Sequence, residues 1–359
     1  MLRRSVSVST RYTGLKPGTA RINWNKLGFD YVPTAGYAYF DYKDGAWSKL
    51  GFTPDPFIKV HVLGNVFHYG QSVFEGTKAF HCKDGQVRAF SDVLNWERLA
   101  YSCKRLQIPP VTWDMWHDAV NESIQRNIEF VPPYGSGGAL YIRPLVIGNG
   151  PRLGLGPSLE YKFMVIVVPV GSYYSTGSLV ALDAVIPPDF DRCAPLGIGD
   201  AKAAANYAAD LDSLMTAKKQ GFPVCLYLDP KERKFVTEFN TSNFVAIRGS
   251  SYITPNDSRA VLNSVTNRRL AELAEKMLGM TIERRPIPFE QEASTWSEVG
   301  AVGTAVVVTP IKSITHGHKV FKFSERPAQL QKIHDLIRAI QVGDEPDHFN
   351  WLRKIPENY

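Results

Sequence analysis

Apolar residues in this chain come in short bursts, and the longest uninterrupted one runs from Phe163 to Val170. That length suits a buried β-strand and falls far short of the roughly 20 residues a membrane-spanning helix needs. Other bursts of the same kind are Ala139 to Ile147, Tyr161 to Pro169, Val224 to Leu228, Phe235 to Thr237 and Asn243 to Ile247. Between them lie segments of helical period: Leu94, Arg98 and Leu99 behind a candidate N-cap Ser91, then Trp113 to Glu129, Lys202 to Gln220, Val265 to Leu278 and Gln329 to Val342. Strands and helices mixed along the whole length predict a two-domain α/β or α+β protein.

Turn chemistry sharpens the outline. Lys83-Asp84-Gly85 between Lys78–His81 and Val87–Phe90 predicts a hairpin. Ile58 to Val66 alternates as a half-buried strand does, and Ala305–Val308 reads as a buried strand entered through Gly303-Thr304. Gly279 stops the helix that opens at Val265. The stretch 171–178, Gly-Ser-Tyr-Tyr-Ser-Thr-Gly-Ser, breaks the pattern and is the expected linker. It divides a smaller N-terminal α/β domain, 30–170, from a larger C-terminal domain, 179–359.

Charge narrows the function. The chain of 359 residues has 41 Lys+Arg against 35 Asp+Glu, a formal +6. Arg3, Arg4, Arg11, Lys16, Arg21 and Lys26 precede the first carboxylate, Asp30. The excess therefore belongs to a basic arm, 1–29, and the body is neutral, which argues against a phosphate-tracking surface for nucleic acid. An arm rich in Arg and Ser suits a mitochondrial presequence or a plain basic extension. The expected location is the cytoplasm, or the mitochondrial matrix if the arm is a presequence. Cys82, Cys103, Cys193 and Cys225 show no CxxC or zinc spacing and read as reduced thiols; no metal is expected.

No phosphate-loop, metalloprotease or nucleophile-elbow motif is present. What remains is a set of separated polar islands. Lys202 sits among alanines with Tyr207 five residues on, an arrangement that suits a covalent-carrier amine. Glu238 opens Glu-Phe-Asn-Thr-Ser-Asn and could hold a ring nitrogen protonated. Asn263-Ser264-Val265-Thr266 opens a helix, whose free N–H groups suit phosphate. Gly303-Thr304-Ala305 is a small hydroxyl turn. Taken singly, each reads more simply as a surface lysine, a solvated turn carboxylate or an ordinary cap.

Taken in order, the segments resemble the class IV pyridoxal-phosphate aminotransferases, and among them the branched-chain amino acid aminotransferases. Tyr69-Gly70-Gln71-Ser72-Val73-Phe74-Glu75-Gly76-Thr77-Lys78-Ala79-Phe80 is similar to Y-G-x-x-x-F-E-G-x-K-A-[FY]. Tyr141-Ile142-Arg143-Pro144 is similar to Y-x-R-P, the Lys202 island to G-x-x-K-x-x-x-N-Y, and the Glu238 island to E-x-x-T-x-N-[FIL]. The likeness runs from about residue 28 to 355. It implies the two-domain fold type IV with pyridoxal 5'-phosphate at the domain interface, in a homodimer that completes the pocket.

The resemblance also implies roles. Lys202 would carry the cofactor covalently and shuttle the proton. Glu238 would bond the pyridine nitrogen and Tyr207 the phenolic oxygen. Arg98, Val265, Thr266 and Thr304 would hold the phosphate. Tyr69, Phe74, Tyr141, Arg143, Thr241 and Ala305 match substrate positions. The reaction implied passes the amino group of leucine, isoleucine or valine to 2-oxoglutarate in ping-pong fashion. The substrates are small molecules; neither nucleic acid nor membrane is an expected partner.

Departures from the family pattern bear on specificity. Ala204 and Ala205 stand where glycines are common, Ser264 where Gly is frequent, and Asn267 where Arg is usual. Glu298 to Gly303 lacks the usual aromatic, and Val306 and Thr309 occupy the redox CxxC region. The alternatives are a D-amino acid or (R)-amine transaminase, an aminated-chorismate lyase, another specialised paralogue, and a catalytically dead binding protein.

Overall fold

A computed structural model describes residues 14–171 and 179–357. The linker expected at 171–178 lies outside the described residues apart from Gly171, as do residues 1–13 of the arm. The rest of the arm packs onto the body: Ala20 is buried, and its N–H donates to Glu129 O at 3.1 Å.

Two nine-stranded sheets organise the chain. In the first, the long antiparallel pair Ala139–Gly148 and Tyr161–Val170 is central, with register from Ala139↔Val170 to Gly148↔Tyr161. Thr77–His81 and Val87–Phe90 form the expected hairpin, turned by Gly85 at φ +81°. The last strand, Leu352–Lys354, returns to pair with Val87–Phe90 and so ties the C-terminus to the first sheet. In the second sheet, Val307–His316 lies between Leu182–Val185, parallel, and Glu298–Gly303, antiparallel. Val236–Phe239 turns tightly into Asn243–Arg248, with Glu238 paired to Asn243.

Packing explains why the sheets stay together. One apolar cluster contains Phe80, Phe90, Ala139 and Val170 from the first sheet and Val245, Val302 and Val308 from the second. Leu270 and Leu273 of helix Val265–Leu278, with Ile333 and Ile337 of helix Ala328–Val342, fill the same cluster. Burying such side chains is worth about 1.5–3 kcal/mol each before entropy is charged.

Four local expectations are corrected. Ile58–Val66 forms no strand: residues 54–62 are irregular, and Val66 lies in the short helix Asn65–His68. Ile58 and Val62 are exposed, whereas Val60 and Val66 pack partly buried against Tyr37, Ile147 and Met164 without joining the sheet. Lys202 precedes its helix, because Ala203 is in extended conformation and bridges Val73, and the helix is broken at Asp210 into Ala204–Ala209 and Leu211–Lys219. Ser91 stands at the N-cap position of Asp92–Arg105, but in the left-handed region, and its hydroxyl accepts from Arg269 Nε at 2.9 Å rather than capping. Ala305 is not in a strand; residues 304–306 form the three-residue turn between the paired Gly303 and Val307. No helix among the described residues is long and apolar enough to cross a membrane.

Candidate active site

A cavity of about 610 Å³ opens between the two sheets. Lys202, Tyr207, Glu238, Arg98, Thr304, Thr241, Ala305, Phe74, Tyr141 and Arg143 all line it. The extended segment before helix Ala204–Ala209 delivers Lys202, held by Phe74 N–H to Lys202 O at 3.1 Å and by Lys202 N–H to Ser102 Oγ at 2.9 Å. Tyr207, one helical turn beyond, brings its hydroxyl to 2.9 Å from Lys202 Nζ. Phe74 covers the same amine, its ring centroid 4.7 Å from Nζ.

Glu238 lies in strand Val236–Phe239, just before the tight turn into Asn243–Arg248, and is buried. Oε1 accepts from Leu262 N–H at 2.9 Å and pairs with Arg192 Nη2 at 2.9 Å. Oε2 accepts from Asn243 Nδ2 at 2.8 Å. A carboxylate has about four acceptor positions, so one remains for a ligand in the cavity. Burial pushes the Glu238 carboxyl above the usual carboxylate range, while Arg192, the Leu262 N–H and Asn243 pull it back. Asn243 is itself held through Oδ1 by Asn267 Nδ2 at 3.2 Å, and Asn267 donates to Thr254 Oγ1 at 2.8 Å.

At another wall, Arg98 grips the fully buried Glu75 with two parallel bonds, Nε to Oε1 at 2.7 Å and Nη2 to Oε2 at 2.8 Å. Its Nη1 donates to Asn263 O at 3.0 Å, directly before the N-terminus of helix Val265–Leu278. Ser264 caps that helix, its hydroxyl accepting from Asn267 N–H at 3.1 Å. Ser264 lines the main cavity and Val265 an adjoining one that Arg98 also reaches; Thr266 is buried one residue into the helix. A guanidinium beside a 14-residue helix N-terminus is suited to an anion.

Val265 and Thr266 thus stand beside the cavity rather than on its lining, and a third expected residue lies farther off. Tyr69 is outside the cavity lining of its own chain; it is exposed, and its hydroxyl donates to Leu153 O. Four residues with evident roles escaped sequence reasoning: Arg192, Asn243, Glu75 and Lys78. Three of these stand inside quoted motifs, but nothing in a linear pattern reveals which side chain a buried charge will meet. Arg192 carried no signal at all.

The profile of class IV amino-transferases matches residues 72–314. The chain belongs to this family. A Helicobacter pylori branched-chain-amino-acid aminotransferase is 37% identical over 94% of this chain and 99% of its own length. An Emericella nidulans protein, aminotransferase atnJ, is 39% identical over 89% of this chain and 93% of its own. Among solved structures, an Escherichia coli branched-chain amino acid aminotransferase superposes with TM-score 0.73 at 24% identity, covering 90% of this chain and all of its own. A Thermobaculum terrenum branched-chain enzyme in its PLP form gives 0.74 at 20% identity, over 91% of this chain and all of its own. These establish fold type IV.

Class IV aminotransferases use pyridoxal 5'-phosphate, and the donor set here fits it. A primary amine is available beside a phenol, a buried carboxylate keeps one acceptor position open, and the anion-suited end pairs a guanidinium with a helix N-terminus. Among the described residues no cluster could hold a metal ion instead.

Proposed function

We propose that this class IV enzyme transfers the amino group of leucine, isoleucine or valine to 2-oxoglutarate in two half-reactions that share one pocket. The observation that carries the reading is the meeting of Lys202, Tyr207 and Glu238 in a cavity that also has an apolar patch of Phe74, Leu145, Ile166 and Val302. The 37% identity to a relative named for branched-chain amino acids supports the substrate class.

Pyridoxal phosphate, when bound, supplies the electron sink that makes a substrate Cα–H acidic. Lys202 Nζ is the group that takes this proton and returns it, and the Tyr207 hydroxyl 2.9 Å away keeps the amine in place. Glu238 holds the pyridine nitrogen through its open acceptor position. Arg98 and the start of helix Val265–Leu278, with Thr304, hold the phosphate. The α-carboxylate meets tyrosine hydroxyl and backbone N–H donors near Thr241 and Ala305. Arg143, bonded to Tyr141 Oη at 3.1 Å and 5.1 Å above the Phe74 ring, offers a cation to the γ-carboxylate of 2-oxoglutarate.

A second reading, transamination of a different amino acid, is favoured by Ala204, which lines the cavity where the family often has glycine. One panel separates the two: L- and D-amino acids with 2-oxoglutarate, run on wild type and on Lys202→Ala. Strong turnover of L-leucine, isoleucine and valine that vanishes in the variant is expected. Turnover of D-leucine alone, or undiminished turnover in the variant, sinks the proposal.

We also propose two domains, 30–170 and 179–359, with the last strand returning to the first, and a homodimer. Supporting the dimer, Phe57, Val62, Phe67, Leu153, Leu155 and Leu159 stand exposed on two segments tied by Arg152 N–H to Leu63 O at 3.0 Å and Asn65 Nδ2 to Gly156 O at 2.7 Å. Tyr69 lies on this face, which gives it a route to a neighbouring subunit's pocket. Sedimentation of wild type and Leu155→Asp checks it; a monomeric wild type ends the dimer reading. The enzyme works in the cytoplasm, or in the mitochondrial matrix if residues 1–29 direct it there, and a reporter fused to 1–29 distinguishes these.

A further inference from the structure

The turn Thr304–Val306 carries Ala305 into the cavity, and its construction is unusual in two ways. Gly303 pairs with Val307, so the loop has three residues, and Val307 takes φ +72°. A three-residue hairpin loop is normally closed by a left-handed glycine. A β-branched residue there is an outlier that persists only where surrounding contacts over-determine it. Val307 is also 4% exposed, so it cannot relax into solvent.

Two struts from one neighbouring segment supply those contacts. Thr304 Oγ1 donates to Gly76 O at 3.2 Å. Lys78 Nζ donates to Ala305 O at 2.7 Å. Lys78 is only 7% exposed, on strand Thr77–His81, and pairs with no carboxylate among the described residues. A buried ammonium without a counter-ion is costly, and among the described residues the hydrogen bond from this amine goes to the Ala305 carbonyl, with the Phe29 ring centroid 5.8 Å away. The donor to the Ala305 carbonyl thus comes from a residue that does not line the cavity, although Ala305 does. Neither the Ala305 nor the Val306 N–H donates to an acceptor among the described residues.

We infer that Lys78 is a positioning residue for the substrate's α-carboxylate, clamping the Thr304–Val306 turn so that its free N–H groups stay aimed into the cavity. The inference rests on the transaminase reading above. Lys78 touches neither substrate nor cofactor; it acts through the peptide of Ala305. Because both half-reactions present an α-carboxylate, the clamp serves amino acid and 2-oxo acid alike, whatever the side chain.

The test uses holoenzyme and three variants: Lys78→Met, Lys78→Gln and Lys78→Arg. The probe is 4-methylpentanoate, which keeps the carboxylate and branched chain of leucine but has no amino group to transfer. Its binding is followed by the change in cofactor absorbance, alongside KM and kcat for leucine and 2-oxoglutarate. Loss of the strut in the Met variant should weaken probe binding and raise both KM values roughly ten- to a hundredfold, as misplacement by about an ångström does. Cofactor content and absorbance maximum should stay as in wild type. Arginine, which keeps a donor, should restore at least part of the affinity. Should the Met variant not fold, the Gln variant replaces it, because its amide nitrogen ends one bond short of the lysine Nζ and cannot span to the Ala305 carbonyl from the same backbone. Wild-type probe affinity in Met or Gln overturns the inference, as does a uniform fall in kcat with KM unmoved. If the wild type itself binds no probe and transaminates no amino acid, the transaminase reading fails, and the inference with it.

Discussion

Each end of the cavity is built on a buried Arg–Glu pair, but in opposite sense. Around Glu238 the carboxylate offers its open position to the cavity, braced at 2.9 Å by Arg192, which also lines the cavity. Around Arg98 the guanidinium faces the cavity, and the braced partner is Glu75, which is absent from the lining. The same two residue types thus present a negative group at one end and a positive group at the other. The proposed placement of the cofactor, with its cationic ring nitrogen at Glu238 and its anionic phosphate at Arg98, is consistent with this reversal. The pairs also differ in what happens when broken. A buried glutamate left alone can take up a proton, whereas an arginine cannot give one up.

That asymmetry can be broken experimentally. The largest effect is expected for Glu75→Gln, which strands the Arg98 charge in the interior and should cost about 3–5 kcal/mol in denaturant unfolding. Arg192→Met leaves Glu238, which can neutralise itself, so a smaller loss of about 1–3 kcal/mol is expected. Equal losses in the two variants would refute the comparison.

The pH dependence of Arg192→Met carries a second signature. In wild type, burial raises the Glu238 pKa, so the folded state holds this proton more tightly than the unfolded chain does. The contribution is full below the ordinary glutamate value and is lost as pH rises through the raised one. Removing Arg192 should extend that loss to higher pH, and the double variant with Glu238→Gln should abolish it. Denaturation midpoints across pH 4 to 8 (about that range, set by ordinary carboxylate behaviour) would show it.

Lys78 sharpens the comparison because, among the described residues, it is a buried cation with no carboxylate to brace it. Burial, with the nearby Arg338, pushes its pKa down from 10.5 to about 7. Here the unfolded chain binds more protons, so stability should rise with pH between about 7 and 10.5 and be lost as pH falls through 7. Lys78→Met should flatten that slope; an unchanged slope would show that the lysine does not titrate in the folded state. The smallest effect belongs to the partly exposed network of Arg285 with Glu292 and Glu283, bonded at 2.7 and 2.9 Å. Arg285→Ala should cost no more than about 1 kcal/mol, less still in high salt. A loss as large as that of Glu75→Gln would mean that burial is not what separates these pairs.

Much of this architecture was legible in the residues. The hairpin around Gly85, the long strands ending at Gly148 and Val170, and the helix from Val265 to Gly279 follow from local period and turn chemistry. Ile58–Val66 misled because alternation reports a face and not hydrogen bonding: Val60 and Val66 cover the sheet residues Tyr37, Ile147 and Met164 while the backbone between them pairs with no strand. Ala305 misled because its apolar surroundings continue a strand pattern through what is a three-residue turn. The motifs led to ten of the cavity residues, since each island is a short segment whose backbone and side chain act together. They could not indicate Arg192, which lies 46 residues before its partner Glu238, nor the use made of Lys78.

The sequence by itself determined the strand-and-helix order, the family, and the identity of the amine, the phenol and the carboxylate that meet in the site. Those depend on side chains and on neighbours a few positions away. Only the tertiary structure decided which buried charges are paired, which acceptor on Glu238 stays open, and that a lysine from one sheet reaches a carbonyl of the other. These depend on distances between segments far apart in the chain. Buried charges are costly enough that their partners, once brought within 3 Å, set the character of the site.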